Sequence, residues 1–462
     1  MTLHVAVLAA FVALQIGLGL WIGRRMRGAS DFFVAGRRLP APVIFGTFLA
    51  ANIGAGSTIG AASLGYSIGF GGWWWNASAG AGSLVFALWA GPRLWALACE
   101  HRFLTLGDFL EWRYGRSVRG ISSLLIWCVS LSILAGQLLG ASSILQVVAG
   151  FPRWVGAVTA AVVVVIYFVA GGLLSSAWVN LLQLAVKLSG FATALPMALA
   201  GVGGWSGLRS SNALPVQFFN PVGTSGSALW LLVLLGPAFV VSPGLVQKAY
   251  GAIDQRAIRL GVGLNAVALV LFAIVPVTLG MVARVHHPDL ASPDQALPVL
   301  LRADLPPLVG ALTLASVFAA EVSAADAVLF MLSTSLSQDL YRRFVAPEAD
   351  DDRVVRVARW SAVVAGVAGL GMALVLPTVV DALKIFYSVL TVALFVPVVG
   401  GLLWARPQTA DVIASMVTGL SAMLAVQLIT AGKGIYGWPP VVIGLLSGGT
   451  AFGAAMLLRG AR

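Results

Sequence analysis

Between Ala315 and Asp339 the sequence reads ASVFAAEVSAADAVLFMLSTSLSQD, an apolar run that nevertheless holds Glu321, Ser323, Asp326, Ser333, Thr334 and Ser335. At helical spacing Ala320, Ser323 and Ala324 share a face, with Glu321 about 100° around from Ala320. A hydroxyl set among small residues suits a cation held by hard oxygens, and hydrogen bonding between helices is the other use of the same groups. A second set lies in WVNLLQLAVK, Trp178 to Lys187, where Asn180, Gln183 and Lys187 recur at i, i+3 and i+7. A lysine that far into an apolar span cannot easily reach the interface, so it must face protein or water.

Two further stretches interrupt apolar runs. FLAANIGAGSTIG, residues 48 to 60, places glycines at 54, 56 and 60 beside Asn52, Ser57 and Thr58. Glycine weakens a helix, and an interrupted helix exposes free carbonyls and the ends of two half-helix dipoles, which can receive a cation and a polar solute. A close-packing face of small residues is the alternative reading of this segment. In VVSPGLVQ, Val240 to Gln247, Pro243 and Gly244 break a second hydrophobic span.

The elements that position these groups must be membrane helices. The 462 residues are 59% hydrophobic and 10% charged, and the mean hydropathy is +0.94, far outside the range of soluble domains. Apolar runs of roughly 20 residues recur along the whole chain, and the short alternating strands of a membrane barrel do not. Reading these runs against charged and Pro/Gly-rich breaks gives thirteen spans: 3-23, 41-70, 74-98, 120-149, 154-174, 177-202, 227-250, 260-283, 307-338, 356-377, 381-404, 409-431 and 439-458. With the N-terminus outside and the C-terminus inside, 21 of the 28 lysines and arginines fall on the cytoplasmic side, as the positive-inside rule requires. The first span has no basic region before it and Arg24, Arg25 and Arg27 after it, the pattern of an uncleaved anchor.

Several classes fit this sequence less well, a channel and a transporter-like sensor among them. The net charge of +11 is spread over loops rather than gathered on a soluble module, so nucleic acid is not an expected partner. The four histidines lie at span ends or in loops, leaving no base or metal set for an intramembrane enzyme, and no cofactor is expected. A channel filter would show a repeated pore loop, and a sensor would need room beyond the last span, where four residues follow. HHPD, His286 to Asp289, and the run Asp350 to Asp352 read as solvated loops, and Cys99 and Cys128 as small buried hydrophobes.

Two interrupted spans, the second and the seventh, stand five spans apart, the mark of an inverted repeat whose broken helices meet at a midplane site. SDFFVAGRRLP (Ser30 to Pro40), AANIGAGSTIG, LTLGDFLEWRYG (Leu104 to Gly115), YFVAGGLLSSAWVNLLQ (Tyr167 to Gln183), VQKAYGAIDQRAIR (Val246 to Arg259) and VSAADAVLFMLSTSLSQDLYRR (Val322 to Arg343) follow in order. In that order they resemble the sodium/solute symporter family, which includes sodium/proline, sodium/glucose, pantothenate and acetate carriers.

The resemblance implies an all-α polytopic membrane protein of the leucine-transporter-type fold. Spans 2-6 (41-203) and 7-11 (227-404) would form two inverted five-helix repeats, separated by an outer loop at 204-226. Residues 1-40 and spans 12-13 (405-462) would be peripheral. It implies a symporter of the cell membrane, most simply a bacterial plasma membrane, that imports a small organic solute by alternating access on a sodium gradient. The sodium site would take carbonyls of Ala50, Ile53 and Ala320 and the Ser323 hydroxyl. Solute would meet Gly56, Ser57, Thr58, Asn76, Ser242 and Gly244, with Trp73, Trp74 and Trp75 either beside it or in an interfacial belt. No acidic residue is among these positions. Where the family has a second Ser or Thr after the serine and an aspartate in the sixth span, this chain has Ala324 and Asn180. With Lys187, Glu321 and Asp326 nearby, proton coupling (Glu321 or Lys187 titrating, or Lys187 serving as a tethered cation) and uncoupled transport stand as alternatives.

Overall fold

The computed structural model describes residues 3–23 and 37–460. The basic loop after the first helix therefore lies largely outside the described residues, and so do the side chains of 169–182, Asn180 among them. Among the described residues everything regular is helical apart from two isolated bridges, Leu39 to Ala252 and Ile435 to Trp438. Lipid dictates this outcome, since a helix satisfies its own backbone where no water is present.

Among the described residues ten helical runs are long and apolar enough to cross a membrane, and three shorter apolar helices, Leu3–Leu14, Ala41–Asn52 and Arg153–Ile166, accompany them. Two expected boundaries differ. The run Gly56–His101 holds the end of the expected second span and all of the third in 46 residues. The chain reverses between them at Gly69–Gly72, where Gly69 has a φ of +68° and a Cβ would fall 2.4 Å from the Phe218 carbonyl oxygen, so glycine is required twice over. The expected break at 175-176 is absent: Arg153–Gly201 is helix throughout. Its 49 residues would reach about 74 Å if straight, more than twice a bilayer core. Glycines and serines there lower helix propensity without removing a backbone donor as a proline would.

Burial orders the helices. In the run Pro307–Val345, 83% of the most apolar stretch is inside the protein, against 28% for Thr409–Ile429, Pro440–Leu458 and Gln183–Gly201. The helix carrying Glu321 and Ser323 is therefore central, and the last two spans lie at the edge. The helix carrying Lys187 buries one narrow face.

Three minor readings change. Cys99 and Cys128 are free and exposed rather than buried. His286 and His287 are not merely solvated, because both ring systems meet Asp304, at 3.3 and 2.8 Å. Asp350 caps the helix Asp351–Val375 by accepting from the Arg353 N–H at 2.8 Å.

Candidate functional site

The first broken helix ends at Asn52, Ile53 turns out of helical geometry at φ −91° and ψ 84°, and winding resumes as a wide turn at Gly56–Gly60. Packing accounts for the break at Gly54. A Cβ there would stand 2.3 Å from the Ala324 methyl and 2.7 Å from Gln137 Oε1, so the backbone passes where no side chain fits. The Ala55 N–H freed by the break donates to Gln137 Oε1 at 2.8 Å, as a buried amide must find an acceptor. Asn76 Nδ2 donates to the Ser57 carbonyl at 3.0 Å, and the Ser57 hydroxyl to the Asn52 carbonyl. The second break is sharper: Trp230–Val241 stops, Ser242 leaves helical geometry at φ −57° and ψ 118°, and Pro243–Tyr250 begins on the proline, whose missing donor costs nothing at a helix start.

The oxygens at the first break converge on one side chain. Lys187 Nζ donates to the Ala50 carbonyl at 3.3 Å, to the Ile53 carbonyl at 3.1 Å and to Ser323 Oγ at 2.5 Å, and the lysine is wholly buried. Ser323 Oγ also lies 3.1 Å from the Ala320 carbonyl and 3.3 Å from that of Ala50. The four residues expected to hold an ion are thus brought together, around an ammonium. One turn further on, Gly190 lets the two helices touch: a Cβ there would meet Ser316 Oγ at 2.4 Å, and Thr313 Oγ1 donates to the Gly190 carbonyl at 3.3 Å. That contact fixes the azimuth at which Lys187 enters.

Beside this point a cavity of about 770 Å³, counting its open mouth, joins the two breaks. Asn52, Gly54, Gly56 and Ser57 line it from the first break, Ser242 and Gly244 from the second, and Trp75, Asn76, Phe239 and Tyr387 from the walls. Of the expected solute contacts, Gly56, Ser57, Asn76, Ser242 and Gly244 face it. Thr58 does not: its hydroxyl lies 2.9 Å from the Gly54 carbonyl and 2.8 Å from Glu321 Oε1, on the protein side of the helix. Trp73 also turns outward, with its indole N–H toward the Val270 carbonyl at 3.3 Å.

Residues 32–419 match the sodium:solute symporter family, which is most of the chain. The protein belongs to that family. By membership it is a sodium-coupled solute symporter and not an enzyme. It is 27% identical over 404 residues to a sodium/glucose cotransporter of Vibrio parahaemolyticus, covering 79% of this chain and 73% of that one. With a sodium/pantothenate symporter of Haemophilus influenzae it shares 24% over 438 residues, 92% of this chain and 89% of that one. The solved structure of a Na+-coupled sialic acid symporter, substrate-bound and outward-open, superimposes with a TM-score of 0.84 at 19% identity, covering 99% and 98% of the two chains. At that identity the likeness establishes the fold, which is of the leucine-transporter type.

The symporter buries more charge than the sequence alone organises. Glu321 is fully buried, and Gly140 makes its space, since a Cβ there would lie 2.9 Å from Glu321 Oε2. Lys248 lines the cavity, donates to the Thr47 carbonyl at 3.2 Å and feels the charge of Asp326, so it ties the two broken helices together. At one end of the helices Arg119 bridges Asp108 at 2.8 Å, Glu111 at 2.7 Å and Asp339 at 2.8 Å, while Thr105 Oγ1 donates to Asp339 at 2.6 Å and Arg343 Nε to Glu111 at 3.0 Å. Burial pushes the Glu111 carboxyl up, but Arg119 and Arg343 outweigh it and hold it below the usual carboxylate range. LTLGDFLEWRYG and LSQDLYRR, two separate motifs in the sequence, are one network in the structure. Gln137, Lys248 and Tyr387 were missed as site residues. Gln137 carried a signal, an amide in the middle of a long apolar helix; Tyr387 carried none.

Proposed function

We propose that this symporter imports a small organic solute bearing no positive charge, held in the cavity between the two helix breaks and moved by alternating access on a sodium gradient. The observation that carries the reading is the shared cavity itself: both interrupted helices offer unwound backbone to one space, flanked by aromatic walls and amide and hydroxyl groups. No carboxylate is among the residues lining that space, and an ammonium, Lys248, is. A cationic solute would find no counter-charge there, whereas a neutral or anionic one meets donors on several sides.

The proposed topology has thirteen crossings with the N-terminus outside and the C-terminus inside, in a plasma membrane, and counts the two halves of the long helix Arg153–Gly201 as separate crossings. Residues 41-203 and 227-404 are its two inverted repeats, 204-226 the outer loop, and 1-40 and 405-462 the periphery. Arg113, Arg116, Arg119 and Arg343, gathered at one end of the helices, support that orientation through the positive-inside rule. Gly56, Ser57, Asn76, Ser242 and Gly244 are the proposed solute contacts. Uptake by proteoliposomes tests the reading: an inward sodium gradient should concentrate a neutral or anionic metabolite, and Asn76→Ala should raise its half-saturating concentration about tenfold, the worth of one buried hydrogen bond. Solute binding without flux under any gradient would sink it.

A further inference from the structure

We infer that Lys187 is the resident cation of the site formed by Ala50, Ile53 and Ser323: its ammonium takes the position of an ion there, and the sodium that drives the symporter does not bind at that point. The inference rests on the carrier reading only in that it says where the coupling ion is not.

Four observations carry it. An ammonium has three N–H donors, and Lys187 has three acceptors, the Ala50 and Ile53 carbonyls and Ser323 Oγ, at 3.3, 3.1 and 2.5 Å. Every proton is matched, and each of these oxygens is already turned to the nitrogen. Second, the two carbonyl acceptors belong to the C-terminal end of the half-helix Ala41–Asn52 and its cap, whose free carbonyls concentrate negative potential where a cation is wanted. Third, the position that would enlarge an ion site has no oxygen to give: residue 324 is alanine, and its methyl is the group against which Gly54 packs. Fourth, the lysine cannot swing away without cost, because its helix is locked one turn on by Gly190 against Thr313 and Ser316.

Charged side chains of both signs surround Lys187. Glu321, on the neighbouring central helix, is the acidic group acting on it, and Lys248, from the second broken helix, is the basic one. Asp326 in turn faces Lys248, and Asp294 acts on Glu321. An acidic side chain therefore stands against each lysine, and a sodium ion beside Lys187 would be one more cation in a space that already holds two basic side chains.

The test uses the full-length protein, titrated with NaCl against choline chloride at constant ionic strength, reading half-saturation of uptake and thermal stability. Ser323→Ala, with Lys187 in place, should leave the half-saturating sodium concentration within twofold of wild type. Lys187→Ala should gain a sodium-specific rise in melting temperature, and Ser323→Ala added to it should cancel that gain. A tenfold or greater rise in half-saturating sodium for Ser323→Ala, or a sodium-induced stabilisation of the wild type that Ser323→Ala removes, overturns the inference. If Lys187→Ala does not fold, the Ser323→Ala titration still decides. If wild-type uptake shows no response to sodium at all, the sodium drive of the proposed function fails, and absence of a sodium-induced shift in both wild type and Ser323→Ala upholds the inference.

Discussion

Lys187 Nζ lies 3.1 Å from the carbonyl oxygen of Ile53, the first residue beyond the broken helix. A break in a membrane helix leaves carbonyls that lipid cannot satisfy, at several kcal/mol each. The lysine supplies their donors, and they in turn make its burial tolerable. Two unit charges 4 Å apart repel by about 4 kcal/mol at an effective dielectric of 20, which is why one cation, not two, fits between them.

Replacing Lys187 by methionine keeps the volume and removes the charge. Breaking a buried ionic arrangement by deleting one partner costs about 3–5 kcal/mol, because the groups left behind stay buried and unpaired. Lys187→Met should therefore melt well below wild type, by tryptophan fluorescence, and should carry no solute. A variant as stable as wild type would show that the carbonyls at Ala50 and Ile53 do not depend on the ammonium.

Gly140 and Glu321 form a second coupled pair. A Cβ at 140 would lie 2.8 Å from the Ala55 Cβ and 2.9 Å from Glu321 Oε2, so Gly140→Ala must push on the break and on the carboxyl together. Overpacking of this kind costs about 1–3 kcal/mol. In a double-mutant cycle with Glu321→Ala, the two losses should fall short of additive by at least 0.5 kcal/mol, the usual floor for residues in contact. Strict additivity would mean that Gly140 serves only the Ala55 contact.

How far these relations could be read in the sequence depends on their reach along the chain. The breaks at Gly54 and Ser242 were legible because glycine, serine and proline act on their own backbone, within a turn. Ala50, Ile53, Ala320 and Ser323 could be named together because helical spacing puts each near a break or a face. What held them was not legible: Lys187 reaches oxygens 134, 136 and 137 residues away, and periodicity says that it faces inward without saying toward what. Thr58 was assigned to the solute because it adjoins Ser57, yet a helix turns about 100° per residue, which carries it to the Glu321 side. The Arg119 network spans 220 residues to Asp339 and was visible only as two unrelated motifs.

Arg119 is the hub of that network and is itself buried. Arg119→Ala leaves Asp108 and Asp339 without their counter-charge and Glu111 with Arg343 alone, and should lower stability by about 3–5 kcal/mol. Arg119→Lys restores the charge but not the fork that reaches three carboxylates, so it should recover part of the loss. The ordering wild type, Lys, Ala in melting temperature is the check. An alanine variant equal to wild type would mean that the carboxylates are already neutral or hydrated.

Asp294 lies outside the spanning helices, in the short turn Pro293–Gln295, where its Oδ2 accepts from the Val379 N–H at 2.8 Å and ties the turn to the start of Val379–Leu403. Burial pushes its carboxyl up to about 6 from the ordinary 3.8, the Val379 N–H and the Ser63 hydroxyl pulling the other way without offsetting it. The folded protein therefore binds a proton between about pH 4 and pH 6 that the unfolded chain does not, and stability from this group is full below the lower value and lost as pH rises through the upper. Acidification from pH 7.5 to pH 5 should stabilise wild type relative to Asp294→Asn, which keeps an oxygen for the Val379 N–H and does not titrate, by about 1–3 kcal/mol. Melting curves of the two proteins across that range should converge or cross as pH falls. Curves that stay parallel would show that Asp294 holds its charge in the fold, with the Val379 N–H and Ser63 outweighing its burial.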